Sequence, residues 1–271
     1  MGHLLKYIPV YWGNFVEPVV WDRTFTAEVT KRYRISICTT VMNRLGDLQK
    51  TLLKNIADNA DYPHVEFVVL DYNSSDGLGD WMRGLEGVGS TVNYYRTTEP
   101  EYYSMAHSRN IAFKVAEGEI VVNVDADGYT NAGFAAYLNR LANEQPRKAI
   151  FAKGKKMMRG RLGFYKDEFI NELGGYDEDL LGYGHDDHDL MTRAWGLGYK
   201  LMWFGGQFCG LVDNHRKHQG GNYQHSSWKY TERRNKLLSL YNLSVGQFKA
   251  NEGRHWGRAH LVKNFSQEID V

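Results

Sequence analysis

The stretch Glu119-Ile120-Val121-Val122-Asn123-Val124-Asp125-Ala126-Asp127-Gly128 constrains this chain more than any other. A short run rich in β-branched residues, with Glu-Gly before it and Asp-Gly after it, reads as a buried strand. Two carboxylates stand where that strand ends, and Gly128 lets the chain turn away. In an open α/β sheet, ligands gather at the carboxyl ends of the strands. Hard oxygen donors placed there suit Mg2+ or Mn2+, ions that keep positions open for the phosphates of a ligand. One carboxylate can take the metal and the other a sugar hydroxyl. An Asp-x-Asp is also what a solvated turn looks like, so the rest of the chain has to decide.

At 271 residues the chain suits one large α/β domain or two small ones. Its net charge of +1 supplies no global field for nucleic acid or membrane, and no nucleic-acid partner is expected. Charges are segregated locally: Arg147 to Lys166 carries only basic residues and Asp167 to Asp189 only acidic ones. That is either two solvated faces or two sides of a site for an anionic ligand. An aromatic content of 14% suits stacking on sugar faces as well as core packing. Cys38 and Cys209 make no disulfide framework and are expected reduced and buried. No stretch approaches the ~20 apolar residues of a membrane span, and no apolar leader core opens the chain. A cytoplasmic location is therefore expected, and the sequons at Asn73, Asn242 and Asn264 are not read as glycosylation sites.

Taken in order, residues 1–33 form an arm over the main domain. Residues 34–40 form the first strand, and Leu48, Leu52 and Ile56 repeat at helical spacing behind the Gly46-Asp47 start signal. Val65 to Leu70 is a second strand, which makes a right-handed βαβ unit with parallel strands. Val92 to Tyr95 is a third strand, Ser104 opens a helix, and the Asp125/Asp127 strand follows. A helix through Phe134 and Leu141 ends at Pro146. Ala149 to Lys153 reads as a strand, Lys166 to Leu173 as a short helix, Leu180 to His185 as a loop, Asp186 to Trp195 as a helix and Tyr199 to Phe204 as the last strand. The chain divides into a nucleotide-sugar half (34–148), an acceptor and catalytic half (149–220) and a helical tail (221–271).

Together these pieces resemble the family-2-like glycosyltransferases of the GT-A fold. The likeness rests on Ser36-Ile37-Cys38-Thr39-Thr40-Val41-Met42-Asn43-Arg44, on Asp71-Tyr72-Asn73-Ser74-Ser75-Asp76-Gly77, and on Ala106-His107-Ser108-Arg109-Asn110-Ile111-Ala112 running to Asp125-Ala126-Asp127. Gly174-Gly175-Tyr176-Asp177 and Gly182-Tyr183-Gly184-His185-Asp186-Asp187-His188-Asp189 are similar to the β-1,4-galactosyltransferase module. Tyr183, His185, Asp186 and His188 replace that module's Trp, Gly, Glu and Asp.

The resemblance implies an α/β GT-A fold with a mostly parallel mixed sheet. It implies an inverting, metal-dependent transfer of a hexose from a UDP-sugar to a glycan hydroxyl. Such a reaction needs a neutralised diphosphate, a base for the acceptor proton and an aligned donor. Asp127 and His215 are the expected metal ligands, with Asp125 on the ribose or a metal water. His218 is the other candidate histidine. Asp187 is the expected base, with Asp186 beside it, although the start of a helix attracts carboxylates without any chemistry. Helical spacing puts Asp186 and Asp189 on one face and Asp187 about a hundred degrees away. Asp71 would take the uracil N3–H, and Arg109 would lie near the base or diphosphate. Thr39, Thr40 and Arg44 would line the nucleotide cleft, and Tyr183 and His185 would meet the acceptor. The basic run Lys153 to Arg161 reads as a solvated loop. The alternatives are a haloacid-dehalogenase-like phosphatase, whose motif wants Thr or Val where Tyr129 stands, and a sugar-binding module that has lost turnover.

Overall fold

Every residue of strand β1 (Ile35–Val41) is buried, as a strand covered by helices on both faces must be. It lies near the centre of a nine-stranded sheet in the computed structural model, which describes residues 25, 27–153, 161–212, 221–225 and 227–271. β2 (Val65–Tyr72) and β4 (Ile120–Asn123) flank β1 in parallel, and β3 (Val92–Thr97) adds in parallel to β2. Beyond β4 the sheet turns mixed: β7 (Leu162–Tyr165) and β6 (Ala149–Lys153) join antiparallel, then β8 (Lys200–Phe204) joins parallel to β6. At the other edge β10 (His260–Lys263) pairs antiparallel with β3, and β11 (Gln267–Asp270) pairs with β10. A separate small ladder joins β5 (Gly128–Tyr129) to β9 (Gly210–Leu211).

Two apolar layers cover the sheet. Helices α1 (Leu45–Asp58), α2 (Leu78–Arg83) and α4 (Phe134–Glu144) bury Leu48, Leu52, Met82, Phe134 and Leu138 on one face. Helices α3 (Met105–Val115), α5 (Lys166–Asn171) and α6 (Asp186–Gly196) bury Ile111, Phe113, Phe169 and Leu190 on the other. Strand alternation assigns residues to these faces. Ile37, Thr39, Val69, Asp71 and Val122 belong to the α1 side, and Cys38, Thr40, Leu70, Tyr72 and Val121 to the α3 side.

The expected order of elements through β4 holds apart from the inserted α2, as does the mostly parallel mixed sheet. Three parts differ. Tyr199 to Phe204 is not the last strand, because the β10–β11 hairpin follows and extends the sheet past β3. The hairpin's four-residue, largely polar strands carry too little alternation to be read from sequence. α2 and β7, six and four residues long, are short for the same kind of reading. The tail, expected to be helical, holds α7 (Trp228–Ser244) and then the β10–β11 hairpin. The described end of the N-terminal arm runs along α4, where the amides of Thr30 and Lys31 each donate to Asn143 Oδ1 at 3.0 Å.

Candidate active site

β4 stops at Asn123, but the chain stays in register for one more residue: the Val124 amide donates to the Cys38 carbonyl at 2.8 Å. Thr39 Oγ1 then donates to the Val124 carbonyl at 2.8 Å and fixes where the Asp125-Ala126-Asp127 turn begins. Thr51 of α1 holds its middle by donating to the Ala126 carbonyl at 2.6 Å. The two carboxylates diverge from this turn. Asp125 leans toward α3, where Asn123 Nδ2 reaches it at 2.9 Å and Arg109 Nη2 at 3.2 Å. Asp127 leans toward α1 and accepts from Arg44 Nη2 at 3.3 Å.

Arg109 is the hub. Its helix starts where Ser104 Oγ accepts from the His107 amide at 3.3 Å, and the guanidinium lies under the carboxyl ends of the strands, 1% exposed. One nitrogen reaches Asp125. The other meets both Asp186 and Asp187, the latter at 3.0 Å. Burial works against its charge, but Asp187, Asp186 and Asp125 outweigh it and hold the group well above the ordinary arginine value. The neighbouring Asn110 ties down the backbone beyond: its side chain donates to the Tyr176 carbonyl at 3.0 Å and accepts from the Tyr176 amide at 2.8 Å. Tyr176, which sequence reasoning passed over, donates its hydroxyl to Asp187 Oδ1 at 3.3 Å.

Asp186 and Asp187 therefore act together, and Asp189 does not join them. Asp189 is buried and paired with Arg193 Nε at 2.7 Å, one helical turn on. Asp186 and Asp187 lie on different faces of α6, yet one arginine joins them. Arg109 enters beneath the first turn of α6, and its long fork reaches two carboxylates a hundred degrees apart.

The loop before α6 is bent by three left-handed residues, Gly182, Gly184 and His185, at φ 63°, 98° and 72°. α7 holds it from behind. Thr231 Oγ1 donates to the Tyr183 carbonyl and Asn235 Nδ2 to the Gly184 carbonyl, both at 2.8 Å. The bend leaves the Tyr183 ring 36% exposed, set edge-on against Tyr223. His185 stacks on His188, with ring centroids 5.6 Å apart. Burial, then the His188 charge, holds its imidazole down at about 4 against an ordinary 6.5.

A histidine kept neutral in the fold loses nothing above its unfolded value and costs stability as the unfolded chain gains the proton. Stability should then fall as pH drops from about 6.5 toward 4, and His185→Asn, which tolerates a left-handed backbone, should flatten that fall. Thermal melts across this range check it; parallel curves for the two proteins would remove His185 from the account.

The nucleotide-side expectations divide by strand face. Thr40 lines the α3 side, its hydroxyl 2.5 Å from that of Tyr103, whereas Thr39 is spent on Val124. Arg44 sits on Asp127 and Asp47, not deeper in the cleft. Asp71 is wholly enclosed on the α1 side. Tyr94 Oη donates to one of its oxygens at 2.6 Å and the Ser74 amide to the other at 2.8 Å. His215 and His218 lie outside the described residues.

Asp125 and Asp127 are hard-oxygen donors of the kind that suit Mn2+ or Mg2+. Burial, then the Asp125 charge, pushes the Asp127 carboxyl up, which marks a pair short of positive charge, and a divalent ion would supply it. Among the described residues, no group of three or more His, Cys, Asp or Glu side chains is set to hold a metal. The residues present therefore fit a site completed by phosphate, water or a further ligand.

Arg161 corrects the reading of a solvated basic run at its end. It is 2% exposed. It donates instead to the carbonyls of Tyr129 at 2.7 Å, Gly210 at 3.0 Å and Phe208, clamping β5 to the segment around β9. Its guanidinium leaves no room for a side chain at Gly128, where a Cβ would also stand 2.9 Å from the Asp125 carbonyl. The Asp-Gly of the motif is thus required by packing.

The model of the family described as "Glycosyl transferase family 2" matches residues 36–197, more than half of the chain. The chain belongs to glycosyl transferase family 2. As a family-2 glycosyltransferase it is an enzyme, and the phosphatase alternative falls away. A comparison with curated proteins finds no match. Among solved structures it is similar to the mannosyltransferase PcManGT of Pyrobaculum calidifontis in complex with GDP-Man and Mn2+, with TM-score 0.62 and 24% identity over 89% of this chain and 71% of that one. It is also similar to residues 1–349 of S. aureus TarS in complex with UDP-GlcNAc (TM-score 0.60, 16% identity, 77% and 67% covered). GalNAc-T7 with UDP, GalNAc and Mn2+ gives TM-score 0.60 at 15% identity, over 78% of this chain and 48% of that one. At these identities the likeness is one of fold, and it is the GT-A fold.

Proposed function

We propose that this glycosyltransferase moves a hexose from a uridine diphosphate sugar to a hydroxyl of a glycan acceptor, with inversion and with Mn2+ or Mg2+. The observation that carries the reading is the joining of Asp125 to Asp186 and Asp187 through one buried arginine. It sets donor-side and acceptor-side carboxylates around one point at the strand ends. Asp127, with Asp125, would hold the ion, which when bound neutralises the leaving diphosphate. Arg44 would aim Asp127 and offset part of the upward push on its carboxyl.

Asp187 takes the proton from the acceptor hydroxyl, steadied by Tyr176 and Arg109. Tyr183 offers the acceptor sugar a stacking face, as in the galactosyltransferase module that the 174–190 stretch resembles. Uridine is supported by the ligands of TarS and GalNAc-T7, while PcManGT carries GDP-Man. Asp71, enclosed beneath Tyr94, takes no part in this proposal, and Thr40 would line the nucleotide cleft.

A hydrolysis screen of UDP- and GDP-sugars, with and without Mn2+, tests the donor and needs no acceptor. Turnover should appear with UDP-sugars in Mn2+ and stop in excess chelator, and Asp127→Ala should lose Mn2+-dependent nucleotide binding by calorimetry. Full activity in chelator would exclude the metal, and equal affinity for GDP and UDP would exclude the uridine assignment.

A further inference from the structure

Helix α7 is built inside out. Its buried positions are the polar Thr231, Asn235, Ser239 and Asn242, and three of these are engaged: Thr231 and Asn235 on the loop ahead of α6, and Asn242 on Asp177 Oδ2 at 3.1 Å. Its apolar residues point the other way, with Tyr230, Leu237, Leu240 and Tyr241 at 60, 60, 40 and 63% exposure. At 3.6 residues per turn these four and Arg233 fall within an arc of roughly 100°. Clustered exposed apolar residues of this kind mark an interaction surface.

Charge decides the partner. α7 carries four basic residues, Lys229, Arg233, Arg234 and Lys236, and one acid, Glu232. Glu232 is exposed on the flank of the helix, its Cβ 3.2 Å from where a side chain at Gly184 would begin, and at about 100° per residue it falls outside that arc. Of the basic residues, Arg233 lies in the arc and Lys229 at its edge, whereas Arg234 donates to the Asp179 carbonyl at 2.8 Å, so the outward face of α7 is cationic, aromatic and aliphatic. A second copy seated on it would set like charges against each other, whereas an anionic surface would complement it.

We propose that the outward face of α7 docks on an anionic lipid surface, lying in the headgroup plane. Tyr rings suit that depth, and Lys and Arg can bury their stems while their charges meet phosphates. Among the described residues no helix is long and apolar enough to cross a membrane, so this is surface attachment. The loop carrying Tyr183 and His185 rests on the inner side of the same helix and would stand about one helix diameter, ~10 Å, above the lipid.

Flotation of the full chain with vesicles tests this independently of catalysis. Recovery should be at least about tenfold higher with phosphatidylcholine mixed with phosphatidylglycerol than with phosphatidylcholine alone, and should fall as salt is added. Leu237→Glu with Tyr241→Glu should abolish recovery while leaving the unfolding temperature and the monomer mass unchanged. Arg233→Gln with Lys229→Gln should weaken recovery without changing the fold. Equal recovery on both vesicles, or none on either, overturns the proposal. So does a dimer, or capture by an acidic protein, that the same substitutions dissolve.

Discussion

Arg109→Met is expected to lower the free energy of unfolding by about 3–5 kcal/mol, the cost of breaking a buried ion pair by removing one partner. The guanidinium is 1% exposed and faces Asp125, Asp186 and Asp187, so methionine leaves three carboxylates around an apolar stem. Asp186 is itself buried and has no second cation beside it among the described contacts. Adding Asp186→Asn and Asp187→Asn to the Met variant should recover part of the loss, since charges in one network couple by roughly 0.5–3 kcal/mol. Urea unfolding of the single, double and triple variants measures this. A loss no larger than that of an exposed change such as Lys54→Met would show that the carboxylates are solvated without the arginine. Turnover should disappear in the Met variant even where the protein remains folded, because both sides of the proposed site lose the group that aligns them.

Asp187→Asn should cut the transfer rate by roughly 10²–10⁴, the usual contribution of a general base, while donor affinity stays nearly unchanged. Two observations choose Asp187 over Asp186. The Asp187 side chain is 15% exposed and that of Asp186 is 8%. Asp187 Oδ1 also receives the Tyr176 hydroxyl, which orients the carboxylate as a base needs. Asp186→Asn should act through Arg109, with a larger effect on stability than on the chemical step. If Asp186→Asn is inactive and Asp187→Asn close to wild type, the role moves by one residue. Retention of the donor's anomeric configuration in the product would reject single displacement altogether.

The parts of this site that were legible in the sequence are contiguous. The Asp-x-Asp sits at the end of a run that only a buried strand explains, and the Arg-Asn pair sits on a periodic helix. Direction was harder to read. Asp71 and Tyr72 are neighbours on β2, and parity says only that they face opposite ways, not which one faces the cleft. That choice is made by what packs above each face, here Tyr94 over Asp71 and His107 beside Tyr72, whose hydroxyl lies 2.7 Å from His107 Nδ1. Arg161 was opaque for a related reason. Its burial is determined by three carbonyls at Tyr129, Phe208 and Gly210, distant in sequence, while the basic residues before it suggest a solvated run. α7 inverts the usual amphipathic pattern, so periodicity marks it as a helix while leaving open which side is in.

The hairpin at the far edge of the sheet bears on the order in which the chain can be completed. β3 is finished at Thr97, yet its outer edge is covered only when Val262 and Lys263 pair with Arg96 and Tyr95, and when Phe265 stacks on Tyr94 at 4.7 Å. During synthesis, some 160 residues must leave the ribosome between those two events. Over that interval β3 presents an open row of amides and carbonyls, the kind of edge that templates pairing between chains. Nascent copies on one message would be exposed to each other through that strand, and a translation pause ahead of residue 260 would prolong the hazard.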